Sequence, residues 1–318
     1  MKKKVVVLGG GNGSAKSIGA CKTFIDRIEL SAVISVSDSG GSSGRLRDEY
    51  DILPPGDILR AVMAMSQYPY DILKSIFYKS RFENVGVLDG HNVGNLFLVF
   101  AAQYAGGDFV SAIRALEQSL SARGRVYPAT LGDTHLVAEL ANGEIIRTEA
   151  LIDRPVYDRS LKIRKLWLEP EVRIYEDAER VIREADYIVM GPGSLYCSVV
   201  AALLPSGFRE AIKKSSARLV YVVGNAFECD GETGPGHLSG FVAGLQQYLP
   251  RPIDMVVYNN HIISDEEQAG YTRKNWALFE ADFENVKDSE LIQGDYERLG
   301  KIGLDDKKLG AILDRLLI

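Results

Sequence analysis

Four short apolar runs, rich in β-branched residues, each stop at a polar, glycine-bearing loop. They are "VVVL" before "GGGNG", "AVISV" before "SDSGG", "YIVM" before "GPGS" and "LVYVV" before "GNAFECDGETG". A continuous apolar run of this length, closed by glycine, reads as a strand buried on both faces. Helical patterns lie between the runs. "SAKSIGACKTFIDRI" carries Ile18, Cys21, Phe24, Ile25 and Ile28 at helical spacing, "AERVIREA" precedes "YIVM", and "HLSGFVAGLQQYL" follows "LVYVV". Strands that alternate with helices make a parallel sheet. In such sheets ligands bind beyond the carboxyl ends of the strands. The four loops are therefore expected on one rim.

The fold class that follows is α/β, a Rossmann-like doubly wound, mostly parallel sheet. A single domain over residues 1–318 is expected, with a helical and small antiparallel β insertion over roughly 57–170. The helical part is read from "DILRAVMAMSQ" and "DILKSIFYKS", each with an Asp N-cap, and from "NVGNLFLVFAAQYA" and "DFVSAIRALEQSL". The β part is read over 125–168, with "ANGE" as its hairpin turn. "KKLGAILDRLLI" closes the chain as an amphipathic helix.

Charge narrows the partners. Acids outnumber bases 43 to 37, for a net charge of -6, which argues against a nucleic-acid partner. Cys21, Cys197 and Cys229 show no CxxC spacing, so a reducing, cytoplasmic location is expected. No apolar run is long enough to span a bilayer. The lysines before the first strand precede an apolar run too short for a signal peptide.

The loops carry the candidate chemistry. In "GGGNGSAKS", Gly10, Gly11, Asn12 and Gly13 let a ligand approach the backbone, and the next helix start favours an anion. The loop narrowly misses both a dinucleotide fingerprint and a Walker A loop, where Ala15 replaces the required glycine. In "SDSGGSSGRLR", Gly40 and Gly41 allow a concave path. Asp38, Ser42 and Ser43 add polar groups, and Arg45 and Arg47 match phosphate oxygens. The bland alternative pairs those arginines with Asp48 and Glu49. Asp57 in "PPGD" suits a helix cap, a catalytic role or a metal. His91, Asn92 and Asn95 crowd a helix start, which is more than one cap needs. Gly191, Gly193 and Ser194 form a second anion loop. Asn225 ends a strand, and Glu228, Asp230 and Glu232 beyond it read as a solvated acidic loop or as Mg²⁺ ligands.

In order and spacing, "VVVLGGGNG", "SDSGGSSGRLR", "PPGDILR", "GHNVGN", "RGRVYPAT" and "VMGPGSLYCS" resemble the YvcK/CofD-like family, also called gluconeogenesis factors. The resemblance implies a Rossmann-like core and one of two activities. The first is a nucleotide-diphosphate or nucleotide-sugar binding regulatory factor, linked to carbon metabolism and cell shape. The second is a Mg²⁺-dependent transferase, which moves a phospholactyl-type group from a nucleotide-activated donor to a deazaflavin. On the transferase reading Asp38 and Asp57 hold the metal and are catalytic, and Lys16 matches that branch. Asn12, Ser39 (where the family has a second acid) and "GLDDKKL" depart from the family pattern. Mg²⁺ is the one cofactor expected, with no tightly bound organic group, and a homodimer is compatible with this reading.

Overall fold

The computed structural model describes residues 2–318. Among these residues, twelve strands form three sheets. They are β1 (Lys3–Gly9), β2 (Ile28–Ile34), β3 (Arg125–Pro128), β4 (His135–Leu140), β5 (Ile145–Arg147), β6 (Ile163–Glu169), β7 (Tyr187–Met190), β8 (Arg218–Val223), β9 (Ala226–Glu228), β10 (Met255–Asn259), β11 (Trp276–Leu278) and β12 (Glu290–Gly294). The main sheet has seven strands in the order β12-β10-β8-β7-β1-β2-β3. Every neighbouring pair in it is parallel. From β1 the chain steps outward through β2 and β3. It then returns to β7 on the other side of β1 and steps outward again to β12. The direction of winding reverses between β1 and β7, which makes the gap between them the topological switch point.

The strand alternation divides the core. Val6, Leu8, Ile188, Met190, Leu219 and Tyr221 face one apolar layer. Val5, Val7, Val189, Val220 and Val222 face the other. The second layer is covered by α1 (Gly11–Lys22), α3 (Gly56–Met65) and the helices Phe109–Ser119 and Asp306–Leu317. The first is covered by the helices Glu176–Glu184, Phe208–Lys214 and Leu238–Gln246 and by the β5-β4-β6 antiparallel sheet. Both faces of the sheet are dry, which is why its strands read as unbroken apolar runs.

Four local expectations change. Residues 125–128 are not part of the antiparallel region, because β3 pairs parallel with β2 at the sheet edge. The stretch 41–50, read as loop, is the helix α2 (Gly41–Tyr50). Its sequence is poor for a helix, but Ser42, Ser43, Leu46 and Arg47 are buried on one side, and burial overrides propensity. Asp57 is not an N-cap: α3 begins at Gly56 with Pro55 as its cap residue. "DILKSIFYKS" likewise starts after Pro69 and passes into a wider π turn over Lys74–Lys79.

Candidate functional site

The two glycine loops at the switch point are pressed together. A Cβ on Gly13 would overlap the Pro192 carbonyl, and one on Gly193 would come within 3.8 Å of the Gly13 Cα. Ser17 on α1 donates a 2.6 Å bond to the Gly191 carbonyl, so the two loops form one surface. Gly9, Gly11, Gly191 and Gly193 all have positive φ, and glycine adopts that region without steric penalty.

Asp57 closes this surface from α3. Its carboxylate reaches Gly10, accepts from the Gly11 backbone N–H and pairs with Arg60, which also meets the Tyr78 hydroxyl. Burial pushes the Asp57 carboxyl up, while Arg60 opposes that shift. A carboxylate of the chain itself therefore sits where α1 presents its positive end. The second loop is treated alike. Glu232 accepts from the backbone N–H groups of Tyr196 and Cys197 at 2.8–3.1 Å. Burial raises its carboxyl to about 7. Glu232 is thus an anchor of the helical turn after Ser194 rather than part of a solvated loop. Its neighbours Glu228 and Asp230 do lie outside, both paired with Arg154.

Asp38 follows β2 and accepts from the Gly40 amide at 2.9 Å. It lies beside Gly56 and close enough to Asp57 for each charge to bear on the same site. Two further acids, from the short helix Glu149–Asp153, complete the group. Glu149 approaches the Ser39 amide at 3.4 Å, and the Ser39 hydroxyl accepts from Ala150 N at 3.0 Å. Burial first, and then Asp38, Asp153 and Asp57, raise the Glu149 carboxyl to about 8. The Asp153 carboxyl is raised as well. Ligand atoms of Glu149, Asp153 and Cys197 lie within 4.8 Å of one another. Oxygen-rich carboxylate groups that repel one another this way suit a hard divalent cation. Glu149 thus brings a carboxylate beside Ser39. Sequence spacing gave no sign of that, because Glu149 lies 110 residues further along.

The stretch "SDSGGSSGRLR" behaves differently from expectation. Neither arginine pairs with Asp48 or Glu49. Arg45 donates to the Asp89 carbonyl at 2.9 Å and is exposed. Arg47 is buried against Asp133 and donates to the Thr134 carbonyl at 2.6 Å, where it joins α2 to the segment after β3. Ser42 meets His91 Nδ1 at 2.9 Å and Asn95 Nδ2 at 3.0 Å. Asn92 caps the helix Val93–Tyr104 through the Asn95 amide. Yet Asn92 Nδ2 and Asn95 Oδ1 are buried without a partner, more polar capacity than the cap consumes. Ser43 packs against Gly56.

Two expected ligand residues sit elsewhere. Lys16 faces away from the loops, 3.9 Å from Asp306. Asn225 lies beyond β8 in a buried network, donating to Glu297 at 3.2 Å and accepting from Tyr271 at 3.3 Å. No helix among the described residues is long and apolar enough to cross a membrane.

A family model described as "2-phospho-L-lactate transferase CofD" matches residues 5–294. The gluconeogenesis factor of Halalkalibacterium halodurans is 38% identical over 277 residues, covering 86% of this chain and 82% of that protein. The gluconeogenesis factor of Bacillus subtilis is 34% identical over 288 residues, covering 90% and 88%. A crystal structure of a UPF0052 family member from Bacillus halodurans superposes with a TM-score of 0.88 at 33% identity. That match covers 98% of this chain and 99% of the other.

Proposed function

The chain belongs to the CofD family and is related to the gluconeogenesis factors over most of its length, and from that premise we propose that it is a nucleotide-diphosphate binder of the YvcK type. Its ligand is a nucleotide-sugar, and its role is regulatory, in carbon metabolism and cell shape. The observation that carries this reading is the joined glycine surface at the switch point, where Gly13 and Pro192 touch. A diphosphate laid there meets the start of α1, with the backbone of the 191–193 loop alongside it. To bind, it displaces the Asp57 carboxylate from the Gly11 amide. Arg60, already beside Asp57, is then released to meet the incoming charge. The unpartnered amide atoms of Asn92 and Asn95 are suited to fixing the base or sugar.

The carboxylate group supports a second reading, a transferase. Asp38, Asp57, Glu149 and Asp153 would hold Mg²⁺, which when bound polarises a diphosphate and eases departure of the nucleotide monophosphate. The chain's own part would be to place the donor on the glycine surface and keep the acids ionised around the cation.

A thermal-shift series with UDP-sugars, GDP and GTP, with and without Mg²⁺, separates the two. The regulatory binder is stabilised by a UDP-sugar without metal. A guanine-nucleotide response that requires Mg²⁺ belongs to the transferase. Asp57→Asn strengthens binding on the first reading, because the carboxylate that the ligand must displace has lost its charge, and abolishes donor turnover on the second. If no nucleotide diphosphate raises the melting temperature, the proposal fails.

A further inference from the structure

The face of α1 turned away from the glycine loops borders a separate cavity. Successive helical residues are rotated by about 100°. Gly13 and Ser17 thus meet the 191–193 loop, while Asn12, Lys16 and Gly19 line a cavity of about 310 Å³. The opposite walls come from the segment Tyr70–Lys79, from Lys274 and from Arg298. That volume is at the lower end of small-molecule sites.

Its charge is out of keeping with the rest of the molecule. Lys16, Lys22, Lys74, Lys79, Lys274 and Arg298 line it against only Asp71 and Asp306, in a chain of net charge -6. Of the six cations, only Lys16 has a carboxylate within salt-bridge reach among the described residues, and at 3.9 Å that contact is loose. Three of the others rest on neutral groups. Lys22 donates to the Ser66 carbonyl at 2.6 Å, and Lys74 to Asn12 Oδ1 at 2.7 Å. Lys274 lies over the Trp276 ring, 5.1 Å from its centre. The Tyr70 hydroxyl, on the same wall, is buried without a hydrogen-bond partner.

Unpaired like charges raise the energy of a fold unless something compensates them. Burial lowers the ammonium groups of Lys16, Lys22 and Lys74, and for Lys74 the charges of Arg60, Lys79 and Lys16 add to it. A concave site with convergent cations and few counter-charges fits an anion carrying more than one phosphate.

We propose that this cavity is a second ligand site, distinct from the glycine surface, for a small metabolite bearing two or more phosphate groups. Compact lysine ammoniums and one arginine fork would meet the phosphate oxygens from several sides.

The test is calorimetric titration of the full chain with inorganic pyrophosphate, with orthophosphate as the single-phosphate control. Lys22→Gln/Arg298→Gln and Lys79→Gln/Lys274→Gln are compared with wild type. Both double variants should fold, since each removes repulsion, and their melting curves check this. The expected result is pyrophosphate binding that is tighter than orthophosphate binding. Each double variant should weaken it about tenfold or more, with the nucleotide response of the glycine surface unchanged. Pyrophosphate affinity equal in wild type and both variants would overturn the second site. So would a parallel loss of the nucleotide response, which would make the cavity part of the first site. A wild type that shows no nucleotide response but still binds pyrophosphate through these residues would sink only the proposed function.

Discussion

At the scale of single residues, the site is governed by carboxylates held in unfavourable company. Glu149 is raised from 4.5 to about 8 by burial and by its acidic neighbours. The sign follows from linkage. Between those two values the folded protein holds a proton that the unfolded chain has lost. The stabilising contribution is complete below pH 4.5 and is lost as pH rises through 8. Glu149→Gln should therefore raise the melting temperature at pH 8.5 and change it little at pH 5, as read by calorimetry at both values. Mg²⁺ should stabilise wild type more at pH 8.5 than at pH 5, since binding releases protons, and the variant should lose that gain. A metal response that is unchanged in Glu149→Gln would remove this residue from the cation site. Gly13 poses a steric limit instead. Its missing side chain leaves room only for the Pro192 carbonyl, and backbone cannot swing aside. Gly13→Ala should cost about 1–3 kcal/mol in urea unfolding and weaken the nucleotide response.

At the scale of elements, α2 shows how tertiary contacts reverse a local rule. Gly→Ala inside a helix is ordinarily worth about 1 kcal/mol of stability. At Gly44 the added methyl would overlap the Ser39 carbonyl, so the same change should destabilise, which denaturant melts can decide. The helix Val93–Tyr104 depends on Asn92, whose side chain accepts the Asn95 amide at 2.8 Å. Asn92→Ala should cost about 1 kcal/mol through the lost cap. Asn92→Asp keeps that acceptor and should restore most of it, while still impairing any ligand that uses Asn92 Nδ2. Asp57 could be mistaken for a cap in the sequence because it stands just inside a helix start. Its carboxylate turns inward because Arg60, three residues on, meets it on the same helical face.

At the scale of the whole molecule, the far end of the sheet is fastened by one buried acid. Glu297 is fully buried and takes bonds from Asn225, Asn259, Tyr271 and the Gly303 amide. These groups tie the ends of β8 and β10 to the closing segment. Glu297→Leu strands several buried donors, each worth about 1–3 kcal/mol. It should produce a clear loss of stability, with faster hydrogen exchange at residues 259–303. The parallel sheet and its loop-bearing rim were legible because buried strands and glycine turns leave local marks: apolar runs such as "VVVL", each stopped by glycine. Gly10–Gly13 and Gly191–Ser194 could be placed at that rim from the runs alone. Other features depended on segments far apart in the chain. Glu149 comes to lie beside Ser39, Glu232 holds the turn after Ser194, and Arg47 is drawn to Asp133. Lys16 turns from the glycine surface to a basic cavity. The sequence by itself determined which strands are buried and where they end, because burial and chain reversal act over a few residues. Only the tertiary structure decided which charges meet, because a carboxylate's partner is set by the packing of helices and sheets, not by its neighbours in sequence.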